Sequence, residues 1–267
     1  VISIRGGAGI GDALYLQSVA RHFVETGEKV EACCDWPDVF RMLAGEVKVS
    51  PFRRKPIDRL AHYASRRGVV GTTQFEDCCI QAGIREKVDL RLDWQLVNAG
   101  LVEMLRSSGK PVVVVQMPRA PFGRVDGFGK ELLPDCRRIQ EAIDYMDGRA
   151  TVVQVGKGVP WFRFSRIDID LVDRTSARDL IDIGCAADAF LGYCSFIVPL
   201  AESFSKPALL VWSRAGLNSP HEVVRTIKPQ KILHRPSSRW VMDDCTLEQL
   251  RNAVDALCHE IGRKLAA

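Results

Sequence analysis

The stretch Val1-Ile2-Ser3-Ile4-Arg5-Gly6-Gly7-Ala8-Gly9-Ile10-Gly11-Asp12 decides the fold of the first half of the chain. The apolar residues Val1, Ile2 and Ile4 make a short strand, and the glycines after it let backbone pass close to a neighbour. Beyond the turn, Leu16, Val19, Ala20, Phe23 and Val24 recur at helical spacing, with Asp12 near the helix start. Residues 29–34 then read as a second strand, 38–43 as a short helix and 47–51 as a third strand. Strand, glycine turn, helix and strand in that order open a Rossmann-like unit on a parallel sheet.

The pattern weakens towards residue 105, where 57–66 and 95–106 have helical spacing. It restarts at Pro111-Val112-Val113-Val114-Val115, a β-branched run suited to a strand buried on both faces. A loop rich in Pro, Gly and Arg (116–129) leads to a helix at 135–146 and a strand at 151–155. Helices at 176–186 and 198–204 then alternate with strands at 189–192 and 208–212, and an amphipathic helix begins at Leu247. The pattern predicts an α/β protein of two Rossmann-like domains with parallel sheets, 1–105 and 106–267.

Composition bounds what such a chain does. Its 267 residues are 46% hydrophobic and 26% charged, as in ordinary globular proteins. No apolar run approaches the roughly 18 residues of a membrane span, and nothing at the start reads as a signal peptide. The formal charge of +4 suits phosphorylated ligands and neither requires nor excludes nucleic acid. The nine cysteines are an odd number without any C-x-x-C, so they read as reduced, packed thiols and argue for a cytoplasmic setting.

Against this background, Arg5-Gly6-Gly7-Ala8-Gly9-Ile10-Gly11-Asp12-Ala13-Leu14 resembles the G-x-G-D-x-L element of heptosyltransferase-like glycosyltransferases. The second half is similar to that family over more of its length. Thr175-Ser176-Ala177-Arg178-Asp179-Leu180 resembles its T-S-x-R-E-L helix start, and Ala187-Asp188-Ala189-Phe190-Leu191-Gly192 its A-D-x-x-x-G strand. Residues 199–207 resemble the H-L-A-A-A-L-G-K-P helix and turn, and Cys245 stands where the family often has a cysteine before its last helix.

The resemblance covers residues 1–26 and 111–258 and implies the two-domain GT-B fold, its parallel sheets facing across a cleft with a sugar nucleotide bound between the halves. The last helix, about 247–262, is then a candidate to pack back on the first domain. The implied activity is an inverting, metal-independent glycosyltransferase. It would move a sugar from a nucleotide-diphosphate donor to a hydroxyl of a glycan, a lipid-linked sugar or modified nucleic acid, with no cofactor. Two alternatives stand beside it: a non-catalytic GT-B-like protein that binds a nucleotide or partner, and a glycosyltransferase acting on modified nucleic acid.

Glycosyl transfer needs a base for the acceptor hydroxyl and positive or dipolar groups for the departing diphosphate. Asp12 matches the family's catalytic carboxylate, although Asp is equally at home capping a helix. Gly7, Gly9 and Gly11 form the loop on the acceptor side. They fit neither G-x-G-x-x-G in register nor a P-loop, which argues against NAD and nucleotide-triphosphate sites. On the donor side stand Gly192, Cys194, Ser195 and Phe196, between a strand and a helix start. Here the family's N-D-S-G-P-x-H reads Tyr193-Cys194-Ser195-Phe196-Ile197-Val198-Pro199. Loss of the acidic residue and the histidine implies a donor other than ADP-heptose, or lost activity.

Arg119, Arg124, Lys130 and Lys157 follow strands where cations would meet phosphate. Asp168-Ile169-Asp170 matches a metal-binding D-x-D but alternates like an exposed strand face. His22, His62, His221, His234 and His259 show no zinc spacing, so no metal site is expected.

Overall fold

The computed structural model describes residues 1–53, 55–63, 73–119, 132–218 and 228–266. Two separate parallel sheets organise the chain. The first, in the order β3-β2-β1-β4, is built from β1 (Ile2–Arg5), β2 (Val30–Cys33), β3 (Val47–Ser50) and β4 (Arg59–Leu60). Helix α1 (Ile10–Glu25), a 3-10 helix at Pro37–Leu43 and α2 (Gln74–Gln81) go with it, and α3 (Ala99–Arg106) precedes the second sheet.

The second sheet contains β5 (Val112–Gln116), β6 (Thr151–Val155), β7 (Ile169–Asp170), β8 (Ala189–Gly192), β9 (Ala208–Trp212) and β10 (Arg239–Met242). Its order is β10-β9-β8-β5-β6-β7, the doubly wound order of a dinucleotide-binding fold. Helices α4 (Cys136–Tyr145), α5 (Ala177–Ala186) and α6 (Ile197–Ser203) and a C-terminal helix (Leu247–Ala266) accompany it.

The β-branched run of β5 behaves as its alternation dictates. Val113 and Val115 enter one apolar cluster with Ile139 and Ile143 of α4 and Leu250, Val254, Leu257 and Ile261 of the C-terminal helix. Val112 and Val114 face the other way, into a cluster with Phe190, Leu210 and Trp212. That second cluster also holds Ile4, Leu14, Leu16 and Val19, so one core runs through both halves. The layers are sheet, α1, α6, sheet: α1 rests on β1 and β2 and packs directly against α6, which lies on β8.

Three sequence expectations are corrected. Residues 59–60 are strand rather than helix, because Arg59 and Leu60 pair with Ile4 and Arg5 at the edge of β1. The Asp58 carboxylate fixes this register, accepting from the Ser3 N–H at 2.7 Å and the Ser3 hydroxyl at 2.8 Å. Helix α3 begins at Ala99, not 95, because the Val97 and Asn98 N–H groups donate to Asp182 and the Asn98 side chain caps Leu101 N–H at 3.1 Å. The C-terminal helix packs on α4, β9 and β10 of its own half, not on the first, since its apolar stripe matches the Val113 face of the sheet. Among the described residues, no helix is long and apolar enough to cross a membrane.

The segment joining the halves is stitched to both. From α1, Arg21 donates to the carbonyls of Arg91 (2.7 Å) and Asp89 (2.8 Å), and Ser18 donates to Arg91 (2.8 Å). From the second half, Arg235 donates to Leu90 O at 3.0 Å, and the fully buried Asp182 accepts from Trp94 Nε1 at 2.6 Å.

Candidate active site

In an open α/β sheet, ligands bind beyond the carboxyl ends of the strands where the strand order reverses. The first sheet reverses between β1 and β4, the second between β5 and β8. The segments leaving those strands are Gly6–Asp12, 61–63, 117–119 and 193–196, and the fold directs the two reversal points at one another through α1 and α6.

Asp12 lies in the first turn of α1, where its Oδ2 accepts the Gly9 N–H at 3.1 Å. The carboxylate therefore does cap the helix, and it also stands beside His62, whose Nε2 is 3.9 Å from Oδ1. Burial raises the Asp12 carboxyl above its ordinary value, while the His62 charge and the Gly9 N–H pull it back down. A carboxylate made more basic by burial is suited to taking a proton. Gly7 has no side chain for a reason: a Cβ there would stand 2.2 Å from Asp12 Oδ2 and 2.9 Å from His62 Nε2. Trp36 anchors the same loop, its Nε1 donating to Ala8 O at 2.9 Å.

Gly11 makes the junction between the halves. A Cβ at Gly11 would meet Pro199 Cγ at 3.0 Å and Phe196 Cα at 3.2 Å, so the Gly6–Asp12 loop lies directly on the turn that follows β8. That turn leaves β8 at Gly192, passes Cys194, Ser195 and Phe196, and enters α6. The Ser195 Oγ is buried and makes no hydrogen bond among the described residues. Burial pushes the Cys194 thiol up to about 12, which keeps it neutral and unreactive. Tyr193 fastens the turn to the loop after β5, its hydroxyl accepting from Gln116 Nε2 at 3.2 Å and donating to Met117 O at 3.4 Å.

Arg119 and Lys157 are exposed on adjoining loops, joined by a bridge between Arg119 and Pro160. Arg124 and Lys130 lie outside the described residues. The D-x-D aspartates serve the backbone: Asp168 Oδ2 accepts from Val152 N–H at 2.7 Å and Asp170 Oδ1 from Val172 N–H at 3.1 Å. Among the described residues, no group of three or more His, Cys, Asp or Glu side chains is placed to hold a metal.

Two groups here escaped the sequence. His62 follows a strand of only two residues, too short to show a period. Glu202, fully buried on α6, sits 3.2 Å from His234 Nε2 and 3.4 Å from Arg235 Nε, inside a motif that reads as apolar helix. Burial pushes the Glu202 carboxyl up to about 7, against the lowering influence of Arg235 and Ser238. Between its ordinary 4.5 and about 7, the native state therefore holds a proton that the unfolded chain has released. Its stabilising contribution is complete below pH 4.5 and is lost as the pH rises through 7. Glu202→Gln is expected to match the wild type near pH 5 and to exceed it by about 1–3 kcal/mol at pH 8. Urea denaturation at the two pH values checks this, and equal or lower stability of the variant at pH 8 would contradict it.

The sequence matches no protein-family model, and no curated protein matches it. Solved structures do share its fold. An iron-containing dodecameric glycosyltransferase, TibC, from enterotoxigenic E. coli superposes with a TM-score of 0.63 at 14% identity, over 99% of this chain and 76% of that one. The same protein has been solved with ADP-D-beta-D-heptose. The E. coli ADP-heptose lipopolysaccharide heptosyltransferase II gives a TM-score of 0.63 at 13% identity, over 97% of this chain and 98% of that one. A family 9 glycosyltransferase from Veillonella parvula gives 0.62 at 9% identity, over 97% of each. The chain thus has the fold of heptosyltransferases and related GT-B proteins, as its motifs suggest.

Proposed function

We propose that this chain is a glycosyltransferase that moves a sugar from a nucleotide-diphosphate donor to a hydroxyl acceptor, with inversion and without a metal. The observation that supports the reading is the close approach of Gly11 to Phe196 and Pro199, which brings the helix start that carries Asp12 up to the Gly192–Ile197 turn. The fold it shares with proteins that act on ADP-heptose supports a sugar nucleotide as the donor.

In this reading Asp12 accepts the proton of the acceptor hydroxyl, whose oxygen attacks the anomeric carbon from the face opposite the diphosphate. The bond from that carbon to phosphate oxygen breaks, and the electron pair leaves with the diphosphate. Developing charge on the leaving group meets the N–H groups of the turn, the Ser195 hydroxyl, and Arg119 with Lys157. Arg124 and Lys130 are further candidates by their sequence position. The acceptor is a hydroxyl of a glycan, a lipid-linked sugar or a modified nucleic acid.

One observation favours a non-catalytic nucleotide-binding protein instead. Cys194 and Pro199 stand where the resemblance calls for an acidic residue and a histidine, and a neutral thiol supplies no charge. A thermal-shift panel of nucleoside diphosphates and sugar nucleotides, followed by NMR of the anomeric product, separates the two. A matched donor at about 100 times its Kd stabilises the native state by about 2.7 kcal/mol. Turnover with an inverted anomer supports the transferase, and binding without turnover supports the alternative. No shift with any nucleotide would overturn both.

A further inference from the structure

The proposal below rests on the transferase reading and concerns the fate of the proton that Asp12 accepts. Asp12, in the first turn of α1, follows the loop that leaves β1, and His62 follows β4, the two strands that flank the reversal point of the first sheet. Their side chains are partly open, 20% and 23% exposed, so both meet the site while staying clear of bulk water. The 3.9 Å between Oδ1 and Nε2 is spanned by a single hydroxyl oxygen making bonds of about 2.8 Å to each. Oδ2 is already engaged by the Gly9 N–H, which leaves Oδ1, the oxygen facing His62, for the incoming proton. The His62 ring is held in place by stacking on Tyr63, centroids 4.7 Å apart. The bare Gly7 backbone gives the pair its room.

We propose that His62 is the proton-holding partner of Asp12: it takes over the proton that the carboxylate accepts from the acceptor hydroxyl and releases it to solvent. The steps balance. The acceptor O–H bond breaks and its proton goes to Asp12 Oδ1, while the oxygen forms its bond to the sugar. The Asp12 O–H bond then breaks and a proton–nitrogen bond forms at His62 Nε2, once a shift of about 1 Å closes the gap to a hydrogen bond. Carboxylate is regenerated, and the imidazolium gives the proton to water. His62 thus meets the acceptor hydroxyl and receives its proton by way of Asp12.

The thiols and phenols packed around the pair carry no charge at neutral pH. Burial pushes Cys34 of the β2 end up to about 11, and Cys78 of α2, Tyr15 of α1 and Tyr63 well above their ordinary values. Cys194 from the second half is pushed up to about 12. All five are neutral between pH 5 and 9. Among the described residues, charged groups also act on these neighbours: the exposed Asp35 on Cys34, the buried Asp77 on Cys78, and Glu202, itself pushed up to about 7, on Tyr15. Imidazole is the side chain whose charge ordinarily changes within that range.

The test has two arms. His62→Gln and His62→Ala are expected to lower kcat about 10-fold to 100-fold at pH 7 with unchanged donor KM, and to alter the acid limb of the pH–rate profile. Free imidazole restores His62→Ala in proportion to its neutral form. The second arm needs no turnover: NMR of the His62 ring nitrogens in the wild type and in Asp12→Asn, where loss of the neighbouring carboxylate changes their chemical shifts. Wild-type rates in both variants, or a loss that imidazole does not restore, overturns the relay. Identical His62 ring-nitrogen signals in wild type and Asp12→Asn overturn the pairing itself. A wild-type protein that transfers no sugar but whose His62 signals still respond to Asp12→Asn shows instead that the transferase reading has failed, and the relay falls with it.

Discussion

Asp12→Asn is expected to lower kcat by about 100-fold to 10,000-fold while leaving donor affinity and stability close to wild type. The amide keeps the shape of the side chain and keeps an oxygen to accept the Gly9 N–H, so the start of α1 stays capped. What it loses is the ability to accept the acceptor's proton. A helix cap and a base are thus told apart by one substitution, because Asn serves the first role about as well as Asp and the second not at all. The removed negative charge at a helix N-terminus costs at most about 1 kcal/mol at a partly exposed site. Steady-state kinetics with a matched donor and acceptor, beside a thermal melt, gives the answer. Near-wild-type turnover would remove Asp12 from the chemistry.

The largest loss of stability is expected at Asp182, well away from the chemistry. Its fully buried carboxylate accepts from Trp94 Nε1 at 2.6 Å, from Val97 N–H at 3.2 Å and from Asn98 N–H at 2.8 Å, and so ties the joining segment to α5. Asp182→Ala takes the acceptor from all three donors at once. The expected destabilisation is about 2–4 kcal/mol, tempered because Val97 and Asn98 lie near solvent and water replaces part of what is lost. Asp182→Asn keeps one acceptor oxygen and is expected to lose about half as much. Chemical denaturation of the three proteins measures this. A cost below about 1 kcal/mol for alanine would show that the joining segment does not depend on this anchor.

Where a segment is long and periodic, the sequence was enough. Val112–Val115 alternates between two apolar clusters, as a β-branched run buried on both faces must, and the stripe of the C-terminal helix is plain in Leu250, Val254, Leu257 and Ile261. Where contacts distant in the chain decide the outcome, it was not. Arg59 and Leu60 become strand because β1 offers an open edge and Asp58 reaches Ser3 across 55 positions of sequence. Strand β10 and helix α2 were likewise unforeseen.

The candidate site divides along the same line. Asp12, Gly7, Gly9 and Gly11 are legible because they lie together in one turn, and the Gly192–Phe196 turn because it lies between a clear strand and helix. His62 is not legible, because its place beside Asp12 depends on β4 pairing with β1. Nor is Tyr193 as a clasp, since its partners Gln116 and Met117 are 77 and 76 positions away.

The direct packing of α1 on α6 also bears on the order in which the molecule can form. A chain leaving the ribosome presents α1 long before α6, and in α1 every residue from Ala13 to Arg21 is buried in the finished protein. The first sheet covers one side of that helix, but the side destined for α6 stays bare until Ile197–Ser203 has been made and β8 has a sheet to join. The first half therefore does not mature as an independent unit, and it carries an exposed apolar face through most of its synthesis. A chain cut between the two sheets would keep that face uncovered for good, so truncation at the apparent domain boundary yields a protein prone to self-association rather than a working half.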